Sequence, residues 1–591
     1  MDSRVFFAAL MGLTVLSVLP TTVTADDESV AALHQIFDEA WERDLRFSPT
    51  FASSLGDRRY NDQWNEVSVA SQQRRHASDR EILSMLGDIE RSTLPPGEQL
   101  NYDLFRDTYE NRETAFAFNM YLIPLNQRGG VQNANELTER LRFTSVKDYE
   151  DWLARVKGIA ALVDQNIAVM KVGMHENVMP PQITMSRVPD QIKAQVVKAP
   201  EDSPFYVPFA DFPEDFASAV RERLSQEALT AIKEAVIPAY ERFYEFFTEI
   251  YLPACRGTVG AWDFPDGEAF YAFRVRRYTT TELTPDEIHD IGFREVRRIR
   301  EEMDKVIEQV GFEGTFQEFL HFMRTDPQFY FDNPDDLHQE YLATSKRIDP
   351  ELVKLFGVLP RMPYGIRPIP DAIAPDTTTA YYSRPAADGS RAGYYYVNLY
   401  KPEVRPKYEI EVLTVHEAMP GHHLQIALSQ ELGDLPNFRR FGGYTAFVEG
   451  WGLYSESLGG DLGLYKDPYS RFGQLTYEMW RAVRLVVDTG MHHKRWSRQQ
   501  AIDFFKDNAA KTEYDIINEI DRYISWPGQA LAYKIGELKI KELRRKAEEQ
   551  LGENFDIRKF HDTVLGSGAV PLNILEDNVM RMIEERLKTE G

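Results

Sequence analysis

The sequence of 591 residues contains one cysteine, Cys255. No disulfide can therefore form within the chain, and no cysteine follows the amino-terminal segment to carry a lipid. Disulfides are also not needed, because a chain of this length with 43% hydrophobic residues can bury a large core. The cysteine content is compatible with an oxidising compartment.

A run of lysine and arginine is also missing, and the formal net charge is −25. Nucleic acid is therefore not an expected partner. No repeat of fixed period and no low-complexity tract appears. The composition is that of a large globular protein.

Long apolar runs are scarce, and the one that occurs lies at the amino terminus. Arg4 precedes an apolar stretch over 5–19, and Val23-Thr24-Ala25 has the small residues of a cleavage site. This pattern predicts a signal peptide over 1–25 and a periplasmic or secreted protein, with an uncleaved anchor as the alternative. No later stretch approaches the 18 or so apolar residues that a membrane span needs.

Helical spacing of apolar residues dominates the rest of the chain. It predicts helices over 29–44, 68–86, 96–116, 146–172, 226–252 and 284–310. We expect a mainly α protein with an amino-terminal helical lobe over 26–270 and a catalytic lobe over 271–591, or one continuous domain. Oligomeric state is not encoded in any pattern that we recognise.

One stretch is a clear strand, Gly393–Tyr400, which is aromatic and β-branched. We expect Tyr395, Tyr396 and Asn398 to hold an extended substrate by strand addition, although a plain core strand explains the pattern equally well. The segment 361–387 before it, rich in proline and aromatics, is expected to wind over the surface.

The main motif is His416-Glu417-Ala418-Met419-Pro420-Gly421-His422-His423. Histidines beside a glutamate are typical of zinc hydrolases, in which imidazoles bind the metal and the carboxylate is the general base. Here position i+4 from His416 is Pro420, so His422 would point away on an ideal helix. Because Pro420 and Gly421 disfavour a regular helix, we predict a widened turn that returns His422 to the metal.

A third ligand is expected downstream, in Phe447-Val448-Glu449-Gly450-Trp451. A carboxylate among apolar residues is costly to bury without a cation, which favours Glu449 as the ligand. Glu456 is the alternative, either as a ligand or as an acceptor for a ligand histidine.

Four motifs together resemble the bacterial domain-of-unknown-function family 885: the histidine motif, Val448 to Glu456, Arg481 to His492, and Pro527 to Lys534. That family looks like a distant relative of helical zinc peptidases of the Glu-zincin type. The resemblance implies a mostly α fold with a deep cleft and a small sheet near the metal helix. It also implies one Zn²⁺ on two histidines and a glutamate, peptide hydrolysis, and His422 rather than His423 as the ligand.

In the related peptidases a late helix supplies a tyrosine, often with a histidine, to stabilise the oxyanion. Tyr533 and His492 are the matching positions. Arg522 is a candidate for holding a substrate carboxylate, or simply pairs with Glu519 or Asp521.

We therefore predict an exported zinc-dependent peptidase that cleaves short peptides, with Glu417 as the base. Two alternatives stay open: a zinc esterase or amidase for non-peptide substrates, and a non-catalytic envelope protein with a structural metal. The residues do not distinguish a dipeptidase, a carboxypeptidase and an oligopeptidase.

Overall fold

The structure is a computed structural model that describes residues 25–370, 374, 378–433 and 435–590. The predicted signal peptide, apart from Ala25, lies outside the described residues. Within these ranges no helix combines the length and the apolar character that crossing a membrane requires.

The protein is mainly helical, with 71% helix and 3% strand, so the predicted fold class is confirmed at this level. The longer helices of the amino-terminal half are α1 (Ala25–Phe47), α2 (Val69–Gly87), α3 (Pro96–Ala117), α4 (Val146–His175), α5 (Ser218–Ala231) and α6 (Ile237–Phe246). The bounds of α1 to α4 follow the predicted periodicity closely.

The other half contains α7 (Gly267–Thr279), α8 (Pro285–Gln309), α9 (Phe316–Thr325), α10 (Pro334–Ile348), α11 (Ile410–Glu417), α12 (His422–Glu431), α13 (Thr445–Ser457), α14 (Pro468–His492), α15 (Arg498–Asn508), α16 (Glu513–Ser525), α17 (Ala532–Leu551), α18 (Ile557–Leu565) and α19 (Leu572–Glu590). Helix α8 shows how the sequence determines where a helix begins. The Thr284 side chain accepts a hydrogen bond from the Glu287 amide, and the Glu287 carboxylate accepts one from the Thr284 amide. Pro285 occupies the first helical position.

A small sheet precedes the histidine motif. Its strands are β1 (Tyr364–Pro368), β2 (Ala380–Ser383) and β3 (Gly393–Val397), in the order β1-β3-β2. Strand β3 pairs in parallel with β1 and antiparallel with β2. The segment 361–387 thus contributes two strands that the sequence pattern did not predict, and most of its described residues are exposed or half-buried.

The buried apolar side chains of the described residues form several clusters, of which three bear on the predicted lobes. One lies within residues 125–255, and another joins α1, α2 and α3. The largest is formed mainly by residues 261–583, with Leu104 from α3. The two-lobe division at residue 270 stays a prediction, since this core draws on both sides of it.

Candidate metal centre

The histidine motif lies where α11 ends and α12 begins. Helix α11 stops at Glu417, Ala418 leaves helical geometry at φ −102° and ψ −109°, and α12 starts at His422. The peptide bond before Pro420 is cis. The interruption is complete, so the chain makes a sharp turn instead of the predicted widened helix.

Two contacts keep this turn compact. A Cβ at Gly421 would lie 1.9 Å from the His416 carbonyl oxygen, so only glycine permits this approach. From α13, the Trp451 indole N–H donates to the Pro420 carbonyl oxygen at 2.8 Å. The turn is therefore held against the helix that carries Glu449.

The turn brings the side chains of His416 and His422 together with that of Glu449. Their ligand atoms all lie within 4.8 Å of one another. Glu449 Oε2 is 3.8 Å from His416 Nε2 and 3.5 Å from His422 Nε2. In a tetrahedral zinc site with bonds of about 2.0 to 2.1 Å, neighbouring donor atoms are about 3.3 to 3.4 Å apart. The donor set and spacing of this cluster therefore fit a divalent metal ion.

A second layer of hydrogen bonds orients His416. Its Nδ1 donates to Glu456 Oε1 at 2.8 Å, which leaves Nε2 facing Glu449 and His422. Glu456 Oε1 also lies 3.4 Å from Arg481 Nη2. Of the two roles considered for Glu456, the geometry matches the acceptor behind a ligand histidine.

The charges of the cluster are strongly coupled. Burial by itself raises the pKa of Glu449, but the hydrogen bond and charge of His422, with the charge of His416, lower it to about 2. Burial lowers the pKa of His422, whereas Glu449 outweighs this effect and raises it. Burial and the charge of His422 lower the pKa of His416. The cluster thus offers a carboxylate with a strong demand for positive charge.

His423 is excluded from the cluster by its own hydrogen bonds. Its Nε2 donates to the Met362 carbonyl oxygen at 2.9 Å, and its Nδ1 accepts from the Tyr382 hydroxyl at 2.8 Å. Burial lowers the pKa of this ring to about 4, so it is neutral. With both nitrogens used, His423 ties α12 to the sheet.

Glu417 lies at the end of α11, directly after His416, and keeps partial contact with solvent. Burial raises the pKa of its carboxyl to about 7, while the charge of His422 opposes that rise. A carboxyl with this pKa is suited to accept and release a proton near neutral pH.

Tyr533, at the start of α17, is brought to the cluster by a close helix contact. A Cβ at Gly450 in α13 would lie 2.5 Å from the Gly536 Cα in α17, so the two backbones nearly touch. The hydroxyl of Tyr533 interacts with the Glu449 carboxylate and contributes to the low pKa of that group. Tyr533 therefore lies beside the cluster.

His492 is placed differently from the prediction. The Ala261 amide donates to its Nδ1 at 2.9 Å, and its Nε2 donates to the Tyr523 carbonyl oxygen at 3.0 Å. The ring is 1% exposed. No ring nitrogen is left for an oxyanion, so we correct the assignment: His492 joins α14 to α16 and to the chain before α7.

This placement predicts an effect of His492→Gln on stability and on its pH dependence. Burial lowers the pKa of His492 to about 3, below the ordinary value of 6.5, so acid protonates the unfolded chain first. The free energy of unfolding therefore falls as pH drops below 6.5, by about 2 kcal/mol at pH 5 from this group. Urea midpoints at pH 7.5 and 5.0 should differ less in the variant than in the unsubstituted protein. Lower turnover with an unchanged midpoint would instead give His492 a catalytic role.

Arg522 is buried in α16 and has partners within the protein. Its Nη2 donates to Gln529 Oε1 at 2.6 Å, and its Nη1 lies 3.5 Å from Glu519 Oε2. The predicted alternative, pairing with Glu519, is therefore present. Arg522 also lies near Tyr533, with its guanidinium carbon 6.0 Å from the ring centre.

The predicted substrate strand needs correction. Because β3 lies between β1 and β2, both of its edges are already paired, and it cannot add a substrate strand. Tyr395 is fully buried against Tyr341, and Asn398 binds the carbonyl oxygens of Ala374 and Thr378. Tyr396 is partly exposed and stacks on Tyr381 of β2. Of these groups, only Tyr396 faces solvent.

Gly452 marks how closely α13 approaches the two histidines. A Cβ there would lie 2.9 Å from His416 Cε1 and 3.2 Å from His422 Cε1. Because Glu456 fixes the His416 ring, Gly452→Ala should displace both rings and weaken metal binding about 10- to 100-fold, as loss of a supporting contact does. Competition with a chelator measures this. Gly87→Ala, with nothing within 4 Å, is the matched control.

Sequence reasoning missed several groups around the cluster. Arg481 and Arg484 lie one turn apart on α14, behind Glu456 and Tyr533 respectively. Their spacing on one helix face in an apolar stretch was the available signal. Arg128, from the amino-terminal half, had no signal in its own sequence neighbourhood.

The fold is shared with solved structures. A crystal structure of a candidate lipoprotein from Colwellia psychrerythraea is 28% identical, with a TM-score of 0.86, and the match covers 95% of this chain and 100% of that one. A candidate lipoprotein of unknown function from Shewanella oneidensis is 17% identical, with a TM-score of 0.71, covering 93% and 99%. This second likeness concerns the fold alone.

Among curated proteins, none matches the sequence significantly. A family model described as bacterial protein of unknown function, DUF885, matches residues 49–579. This match spans the histidine motif, the Glu449 helix and the Tyr533 helix. The chain belongs to the DUF885 family.

Proposed function

We propose that the protein is a zinc-dependent peptidase that hydrolyses short peptides. The observation that carries the proposal is the convergence of His416, His422 and Glu449, with a separate carboxylate, Glu417, directly beside the first histidine. A purely structural metal site has no need of this additional group. The donor set of two imidazoles and one carboxylate is one that catalytic zinc sites use.

His416 Nε2, His422 Nε2 and a Glu449 oxygen are the groups that would hold the ion. When bound, zinc would polarise the substrate carbonyl and lower the pKa of a water molecule at its open position. The hydrogen bond from His416 Nδ1 to Glu456 keeps the ligand nitrogen of that ring deprotonated and aimed at the cluster.

Glu417 acts as the general base and then as the acid. It takes a proton from the attacking water and delivers it to the amine that leaves, so one water is consumed while the amide C–N bond breaks. Its pKa near 7 suits both transfers. Tyr533 donates its hydroxyl hydrogen bond to the substrate oxygen that becomes negatively charged.

The substrate would lie along β2, since this strand is at the end of the sheet, has one edge unpaired among the described residues, and packs beside α11. An extended peptide can add there by main-chain hydrogen bonds. Tyr396 and Tyr381 would contact its side chains from the sheet face. A deep cleft between helices, as the resemblance implies, would favour short peptides over folded proteins.

We also propose that the protein works outside the cytoplasm. The supporting observations are the signal-peptide pattern over 1–25 and the description of both solved relatives as candidate lipoproteins.

The test is a substrate panel on the zinc-loaded mature chain. Free and blocked dipeptides and tripeptides are compared with simple esters and with non-peptide amides. Hydrolysis of peptides, lost on chelation and restored by zinc, supports the proposal. Turnover of esters alone would show a zinc esterase, and no turnover with tight zinc binding would show a structural metal.

A further inference from the structure

A tight turn from the amino-terminal half lies against α16. The backbones of Asn126 and Gly129 exchange two hydrogen bonds, at 3.0 and 3.2 Å, so Gln127 and Arg128 form its tip. Gln127 Nε2 donates to the Asp521 carbonyl oxygen at 3.0 Å, and its Oε1 accepts from the Ser525 hydroxyl at 2.7 Å. The turn is therefore fixed on the helix that carries Arg522.

The backbone of Arg128 is held by the turn, but its guanidinium has no polar partner among the described residues. Its side chain is exposed to solvent, and its guanidinium forms no hydrogen bond or ion pair with any residue that the structure describes. Its guanidinium carbon lies 5.8 Å from the centre of the Trp526 ring. Surrounding protein and the charge of Arg522 lower the pKa of Arg128, so its guanidinium lies near a second cation. We call the surroundings of Arg128, Arg484 and Arg522 the recess.

Among the described residues of this recess, three arginines lie around one carboxylate, that of Glu519. Arg484 and Arg522 both pair with Glu519, through Oε2 at 3.1 and 3.5 Å, and Arg128 adds a third positive charge. Arg484 Nη1 and Arg522 Nε are buried without a hydrogen-bond partner among the described residues. Unsatisfied donors beside like charges are costly, and an anion with several oxygen atoms would satisfy them.

The recess adjoins the candidate metal centre through one side chain. The Tyr533 ring lies 4.3 Å from the guanidinium carbon of Arg484 and 6.0 Å from that of Arg522. The hydroxyl of the same tyrosine interacts with Glu449. The side chain of Tyr533 therefore contacts the cluster at its hydroxyl and the two arginines at its ring.

We propose that Arg128 and Arg522 bind the free carboxylate at the carboxyl end of a peptide, so that the enzyme removes the last residue or splits dipeptides. This inference rests on the proposed function and narrows its substrate class. Consecutive Cα atoms are about 3.8 Å apart. A carboxylate held close to the cluster therefore belongs to the residue that directly follows the cleaved bond. A recess that adjoins the cluster through the Tyr533 side chain is compatible with this placement.

The first experiment measures binding without turnover. Zinc-loaded Glu417→Gln protein is titrated by calorimetry with a dipeptide as the free acid and as its carboxyl amide. We expect the acid to bind at least about 30-fold more tightly, because charge-assisted bonds to a carboxylate are lost in the amide. Adding Arg128→Ala should remove this preference, whereas Arg106→Ala, an exposed arginine paired with Glu110, should retain it. Equal binding of acid and amide would overturn the inference.

The second experiment measures kcat/KM of the unsubstituted enzyme for the same pair and for a longer peptide. We expect the free acids to be preferred and Arg128→Ala to lower kcat/KM for them about 100-fold, with little change for amides. Arg128→Lys should restore part of the lost kcat/KM, since lysine keeps the positive charge but cannot form two parallel hydrogen bonds to a carboxylate.

The two hypotheses fail in different ways. Hydrolysis of acids and amides at equal rates would refute the terminal-carboxylate site and leave the peptidase standing. Absence of all peptide hydrolysis would refute the peptidase, and the calorimetric preference alone would then decide whether the recess binds carboxylates.

Discussion

Glu417→Gln is expected to reduce peptide hydrolysis by at least about 10³-fold while zinc content stays at one ion per chain, because the amide has nearly the same shape but cannot accept the proton. The carboxylate adjoins a proposed ligand but is not itself part of the donor cluster. Turnover is measured with a saturating dipeptide, and zinc by elemental analysis of the same sample.

The control for this substitution is Glu403→Gln, an exposed glutamate in the turn before α11, which should leave both quantities unchanged. Retention of a tenth or more of the activity in Glu417→Gln would contradict the assignment of the base. Loss of zinc together with activity would instead show that Glu417 is needed to hold the metal.

The second large effect is expected on zinc affinity, and it distinguishes His422 from His423. These histidines are adjacent in the sequence and have the same side chain, so each is the control for the other. His422→Ala should weaken zinc binding by at least about 10³-fold, well beyond the 10- to 100-fold typical of supporting groups. His423→Ala should leave zinc affinity close to normal, because its ring bonds to Met362 and Tyr382.

His423→Ala should instead lower the thermal midpoint, since two partly buried hydrogen bonds between α12 and the sheet segment are lost. Zinc affinities come from competition with a chelator of known strength, and the midpoints from calorimetry of the zinc-free proteins. The reverse pattern, in which His423→Ala loses zinc and His422→Ala keeps it, would contradict the geometry of the turn.

The helices could be predicted because their signals are local. Periodicity predicted the bounds of α1 to α4 to within four residues, and the Thr284 cap predicted the start of α8. The strands in 361–387 could not be predicted, because their pairing with β3 is a long-range contact in a segment whose prolines suggest a loop. This missed pairing also led to the wrong expectation that β3 accepts substrate.

The candidate site was predictable in part for the same reason. His416, His422 and Glu449 have side chains that bind metal ions. The histidines lie in a recognisable motif and the glutamate in an apolar stretch, so all three could be predicted from the sequence. Whether a ring nitrogen is already used is decided by distant backbone groups, such as the Tyr523 carbonyl oxygen for His492. Arg128 could not be predicted, because the turn that carries it contacts α16 from nearly four hundred residues earlier in the chain.

Diffraction from crystals of the zinc-soaked protein at wavelengths on either side of the zinc absorption edge tests the central claim most directly. We predict one anomalous peak per chain, bonded to Nε2 of His416, Nε2 of His422 and a carboxylate oxygen of Glu449 at about 2.0 to 2.2 Å. No peak at this position, or a peak bonded to other residues, would contradict the account.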